Sequence, residues 1–170
     1  MNLKSIVIIT FIISAVLLAA RIAPAMNSEQ YREGKYIHID NIVMEFSGTN
    51  ATIDVEYHLS PFAKAYIFLF GSKNIEPKMK EIFFKFPEMQ IKDIGLNSAT
   101  IQLTNVSQKE GHDYMHDSRK LGIHSDVLTI IFPYNQGVRR VQNVDSTLSV
   151  FYPDSPKYSE IHNNITKQSQ

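Results

Sequence analysis

No stretch constrains this chain more than Ser5 to Ala20, SIVIITFIISAVLLAA, which carries no charged side chain. Lys4 precedes the run and Arg21 closes it. As a helix, such a run rises about 24 Å at roughly 1.5 Å per residue, a little short of a hydrocarbon core of about 30 Å. Taking residues 5–23 together brings it into the spanning range, with the Arg21 guanidinium snorkelling to the headgroups. Ala23-Pro24-Ala25 has the small-x-small spacing of a signal-peptidase site, and cleavage after Ala25 would secrete a chain starting at Met26. The run is longer than a usual signal core, and Arg21 lies where a cleavage region is normally uncharged. Both favour a retained anchor over a cleaved signal. Residues 1–25 are therefore expected to be a transmembrane anchor or signal segment, and residues 26–35 (MNSEQYREGK) a juxtamembrane linker. Lys4 argues for an inside N-terminus, while Arg21, Arg32 and Lys35 pull the other way. The Ala-x-Ala feature has a purpose only if the body is exported, so the C-terminal domain is expected on the extracytoplasmic side of the cell membrane.

About 145 residues follow the leader, enough for one domain with a real core. Setting Lys4 and Arg21 aside, 15 basic residues face 17 acidic ones, which gives no footprint for nucleic acid. Cysteine is absent, which removes disulfides, thiolate catalysis, iron–sulfur clusters and Cys-type zinc sites. Three N-x-S/T triplets, at Asn50, Asn105 and Asn164, are glycosylation candidates for an exported surface.

Along the body, Ile53, Val55, Tyr57 and Leu59 alternate with Thr52, Asp54, Glu56 and His58, the period of a half-buried strand. In the preceding segment, Tyr36 to Phe46, the apolar residues move from odd positions (Ile37, Ile39) to even ones (Ile42, Met44, Phe46). A β-bulge near Asp40-Asn41 restores a single facing. Ser47 to Asn50 is the hairpin turn. Ser60-Pro61 starts a helix that Gly71 ends, over the apolar FAKAYIFLF. Pro77 opens a second, with Met79, Ile82, Phe83 and Phe86 on one face, and Pro87 stops it. Strands are expected at Met89–Ile94, Thr100–Val106, Val127–Phe132, Val138–Val144 and Leu148–Tyr152. Elements that cluster by type rather than alternate predict an α+β fold: an antiparallel sheet of six or seven strands with two short helices on one face. A β-sandwich with a helical insertion is the alternative. The domain spans residues 36–153, and residues 154–170 read as a polar, disordered tail.

The densest set of potential ligands is Gly111-His112-Asp113-Tyr114-Met115-His116-Asp117, with His124 and Asp126 beyond it. On a helix, His112 and His116 would share a face and, with Asp117, could chelate a divalent metal. The five residues from His112 to His116 resemble the H-E-x-x-H of zinc metalloproteases, which implies zinc ligation by the two histidines. Asp113 stands where that family holds its general-base Glu, one methylene shorter. The flanks SQKEG and SRKLG lack the apolar content of a buried active-site helix, so a polar, exposed loop is the expectation here. His58 reads as a solvated strand residue, and His38 and His162 as isolated. The Phe-rich block at residues 62–86 is expected to pack as core; its functional version is an exposed surface that takes a lipid or a partner.

Without a convergent polar site or a cofactor motif, the chain is expected to be a non-enzymatic envelope protein that binds or assembles with a protein or lipid partner at the cell surface. The competing readings are a metal-dependent envelope enzyme at His112, His116 and Asp117, and a lipid-binding ectodomain.

Overall fold

The long hairpin predicted from alternation is the centre of the molecule. In the computed structural model, residues 36–86 and 88–157 are described; the apolar leader, the linker to Lys35, His162 and Asn164 lie outside them. Strand β1 (Ile37–Ser47) turns through Gly48-Thr49 into β2 (Asn50–Leu59). Gly48 takes a φ of 59°, in the left-handed region that glycine enters without steric cost. The expected bulge is there: the β1–β2 register shifts between Ile39 and Asn41. Its effect is the one the pattern demanded, because Ile37, Ile39, Ile42, Met44 and Phe46 are all buried on one face.

Helix α1 (Pro61–Phe70) follows, with the Ser60 hydroxyl accepting the Ala63 amide at 3.3 Å. A 3-10 turn (Ser72–Ile75) leads to α2 (Glu76–Ile82). Then come β3 (Glu88–Ile94), β4 (Ser98–Thr104), β5 (Gln108–Glu110), β6 (Asp113–His116), β7 (Lys120–Ile131), β8 (Val138–Ser146) and β9 (Val150–Pro153). The main sheet has six strands in the order β3-β4-β2-β1-β7-β8; β5, β6 and β9 form a second sheet of three.

The main sheet is mixed, not antiparallel as expected: β1 and β7 run parallel, pairing Ile42 with Leu128 and Met44 with Ile130. The reason is topological. β2 hairpins back along one edge of β1, and the chain regains the other edge only after the excursion through residues 60–119. No tight turn then dictates an antiparallel return. What remains to set direction and register is the match of apolar faces.

One face of the main sheet carries the core. Helix α2 and the turn after it lay Met79, Ile82, Phe83 and Phe86 against it, all buried. Each such side chain contributes roughly 1.5–3 kcal/mol of transfer free energy. The approach is close at Gly122 of β7, where a methyl group would collide with the Glu81 carbonyl oxygen of α2. The second sheet covers the opposite end of the same face. There the Tyr152 hydroxyl lies 2.8 Å from the Gly48 carbonyl and 2.7 Å from the Ser107 hydroxyl, and burial pushes its pKa up to about 12. The described part of the domain thus has two ends. Tyr36, Ser60 and α1 mark one, and the Gly48 turn with the second sheet marks the other, about 30 Å away along β2.

Candidate functional site

Three surfaces answer the expectations for a site, beginning with the histidine-rich stretch. It is neither a helix nor an open loop. Residues 108–116 form the β5–β6 hairpin, with His112 in its exposed turn. His116 is buried, its ring 5.1 Å from that of Phe46 and stacked at 6.4 Å on Phe86. Its Nδ1 lies 2.8 Å from the Val106 carbonyl and its Nε2 3.2 Å from the Thr147 hydroxyl. A carbonyl only accepts, so Nδ1 carries the proton and Nε2 accepts from Thr147. The Thr147 oxygen in turn accepts the Arg119 amide at 2.9 Å. Burial holds the His116 pKa below its ordinary 6.5, with the Val106 hydrogen bond pulling the other way. Both ring nitrogens are committed to the fold, while Asp117 is exposed. The geometry gathers His112, His116 and Asp117 into no common ligand set, and the arrangement shows how a histidine can serve as packing.

The sequons divide likewise. Asn50 and Asn105 sit together at the Gly48 end, with the Asn105 amide N–H donating to Asn50 Oδ1 at 3.2 Å. Asn105 Nδ2 donates to Glu88 Oε2 at 3.1 Å.

The second surface is α1. Of its ten residues only Ile67 is buried, with Ala63 and Tyr66 half-buried against the core. Phe68, Leu69 and Phe70 are 83%, 73% and 64% exposed. Sequence reasoning expected this block to be core; Met79, Ile82, Phe83 and Phe86 meet that expectation, while Phe84 and the outer side of α1 do not. Phe68 and Leu69 join Lys64, Ala65 and Leu96, from the β3–β4 turn, around an open apolar depression of about 460 Å³. The start of α1 is tied to the start of β1: the Ser60 amide donates to the Tyr36 carbonyl at 3.0 Å, and the Tyr36 and Phe62 rings lie 6.3 Å apart.

The third surface lies on the polar face of the main sheet. His38 is not isolated. The hairpin register sets it opposite His58, with ring centroids 4.7 Å apart. Asp40, two residues beyond His38 and so on the same face of β1, lies beside them, with His58 Nδ1 2.7 Å and His38 Nε2 3.9 Å from Asp40 Oδ1. From the neighbouring β7, Asp126 Oδ2 reaches His38 Nε2 at 2.9 Å. The hydrogen bond from His38 holds the Asp126 carboxyl below its usual range. Next along the face, His124 pairs with Asp145 at 3.0 Å, which raises the imidazole pKa. Period-two alternation along β1 and β2 puts His38, Asp40 and His58 on the same polar face, a signal the sequence carried. Asp126 carried no such signal.

Compared with known proteins, the chain matches no family model, no curated protein and no solved structure.

Proposed function

We propose that this chain is a membrane-anchored, extracytoplasmic, non-enzymatic binding module whose α1 surface lies on the lipid bilayer. The observation that carries the reading is the exposed Phe68-Leu69-Phe70 side of a helix with one charged residue, Lys64. A helix apolar all round belongs in an interior or in lipid, and here the protein covers only one side of it. Ten helical residues rise only about 15 Å, so α1 dips into a leaflet rather than spanning it. Among the described residues, no helix is long and apolar enough to cross a membrane. Burying the three side chains in lipid contributes on the order of 4 kcal/mol, useful beside a covalent anchor and weak without one.

Two further features favour lipid over a protein partner. The apolar run of residues 5–23 is joined to the domain through the linker of residues 26–35, which leads into Tyr36, the residue tied to the start of α1. Between Ser60 and Phe86 there are five lysines and two glutamates, a net +3 within a body near −2, which suits anionic headgroups. The same orientation puts Asn50 and Asn105 away from the membrane, where a glycan has room.

Because the chain has no cysteine, single labelling sites need no background removal. The full-length Phe68→Cys and Asp54→Cys proteins, each carrying an environment-sensitive fluorophore, are reconstituted into vesicles of phosphatidylcholine and phosphatidylglycerol. The probe at 68 is expected to shift to the blue and be quenched by spin-labelled lipid, while the probe at 54, on the polar face, stays in water. Equal solvent exposure at both positions removes α1 from the bilayer. Extraction of the full-length chain by carbonate without detergent removes the anchor itself.

A further inference from the structure

The polar face of the main sheet holds a constellation that membrane apposition does not use. We propose that His38, Asp40 and Asp126, with His58 as fourth ligand, form a binding site for a divalent transition cation of the zinc class. One ligand atom from each of His38, Asp40 and Asp126 lies within 4.8 Å of the others, the only such trio of His and acidic side chains among the described residues. A tetrahedral zinc site with bonds near 2.0–2.1 Å holds its donors about 3.3 Å apart. The observed separations of 2.9 Å and 3.9 Å around His38 Nε2 bracket that value. His58, whose Nδ1 already lies 2.7 Å from Asp40 Oδ1, is 62% exposed at its side chain and stands next to the centre.

The donor chemistry selects the cation. Two imidazoles exclude calcium and magnesium, which take oxygen ligands, and two carboxylates neutralise a divalent charge. Four protein ligands leave no position for a substrate, so the site is structural rather than catalytic. Its framework is rigid, because β2, β1 and β7 are the middle strands of the main sheet. The cation would clamp the parallel β1–β7 junction from outside, one of the two pairings of the main sheet, with β2–β4, that no hairpin supports.

The test uses full-length protein in detergent micelles, titrated with zinc chloride by calorimetry and with cobalt(II) by visible absorption. Wild type is expected to bind one zinc per chain, to show the intense cobalt bands of tetrahedral coordination, and to melt at a higher temperature with zinc. His38→Gln and Asp126→Asn are each expected to weaken binding by about 100-fold or more, since even outer-shell partners of metal ligands are worth 10–100-fold. These side chains are half exposed, and unchanged circular dichroism establishes that the variants fold. No stoichiometric binding by wild type overturns the proposal. So does binding that survives the His38→Gln/Asp126→Asn pair, or that is lost in His112→Gln instead.

Discussion

The two faces of the main sheet are built from the same strands and have opposite chemistry. Ile39, Ile42, Met44, Ile53 and Val55 face a helix layer rich in Phe and Lys; His38, Asp40, Asp54, Glu56 and His58 face water. The helix layer itself has two sides. Its inner side is as dry as any core, while the outer side of α1 leaves Phe68 and Leu69 uncovered. Alternation along a strand therefore explains the first contrast completely. It says nothing about the second, because a helix that is apolar throughout has no sequence-defined inside.

The largest test of that contrast is Phe83→Ala, expected to cost about 3–5 kcal/mol because the ring is fully buried and leaves a cavity. Denaturant unfolding measures it; a loss below about 1 kcal/mol would mean that α2 does not hold the sheet. Gly122→Ala comes next, at about 1–3 kcal/mol, since the added methyl meets backbone that cannot rotate away. Ser60→Ala is expected to cost about 1 kcal/mol through loss of the α1 cap. Hydrogen exchange should place that loss in α1 alone, whereas a global effect would mean that α1 is integral to the core.

His116 gives a slope rather than a step. Its folded pKa lies below the ordinary 6.5, so between the two values the unfolded chain binds more protons. Stability is expected to be full above pH 6.5 and to fall as the pH drops through that window. Thermal melts of His116→Gln, which does not titrate, should lack this part of the slope, and an identical pH profile would put the proton elsewhere. The smallest effect is expected from Phe68→Ser/Leu69→Ser, within about 0.5 kcal/mol of wild type because those side chains touch little of the protein. Loss of vesicle contact without loss of stability is the signature of a surface meant for lipid. Destabilisation as large as that of Phe83→Ala would make the outer side of α1 part of the core.

Much of this architecture was legible in the chain. The β1–β2 hairpin, its bulge, the Ser60 cap, the Gly71 stop and the buried face of α2 all follow from spacings of a few residues. The β5–β6 hairpin escaped because its exposed QKE strand lacks alternation and its buried member is a histidine. Nothing within residues 107–117 shows that His116 will find Phe46 and Phe86 on either side. In the proposed cation site, likewise, His38, Asp40 and His58 come from one hairpin, but Asp126 is eighty-eight residues from His38.

What the sequence determined by itself was local: which residues share a face in the β1–β2 hairpin and in α2, where α1 starts and stops, and that a long apolar run precedes the domain. Tertiary structure alone decided that β7 lies parallel to β1, that His116 is core, and that one side of α1 stays uncovered. The physical reason is range. Turn geometry, capping and side-chain periodicity act over a few residues and leave a mark in the chain. The pairing of two distant strand edges depends on which edge is free and which faces match, and no short stretch of sequence records that.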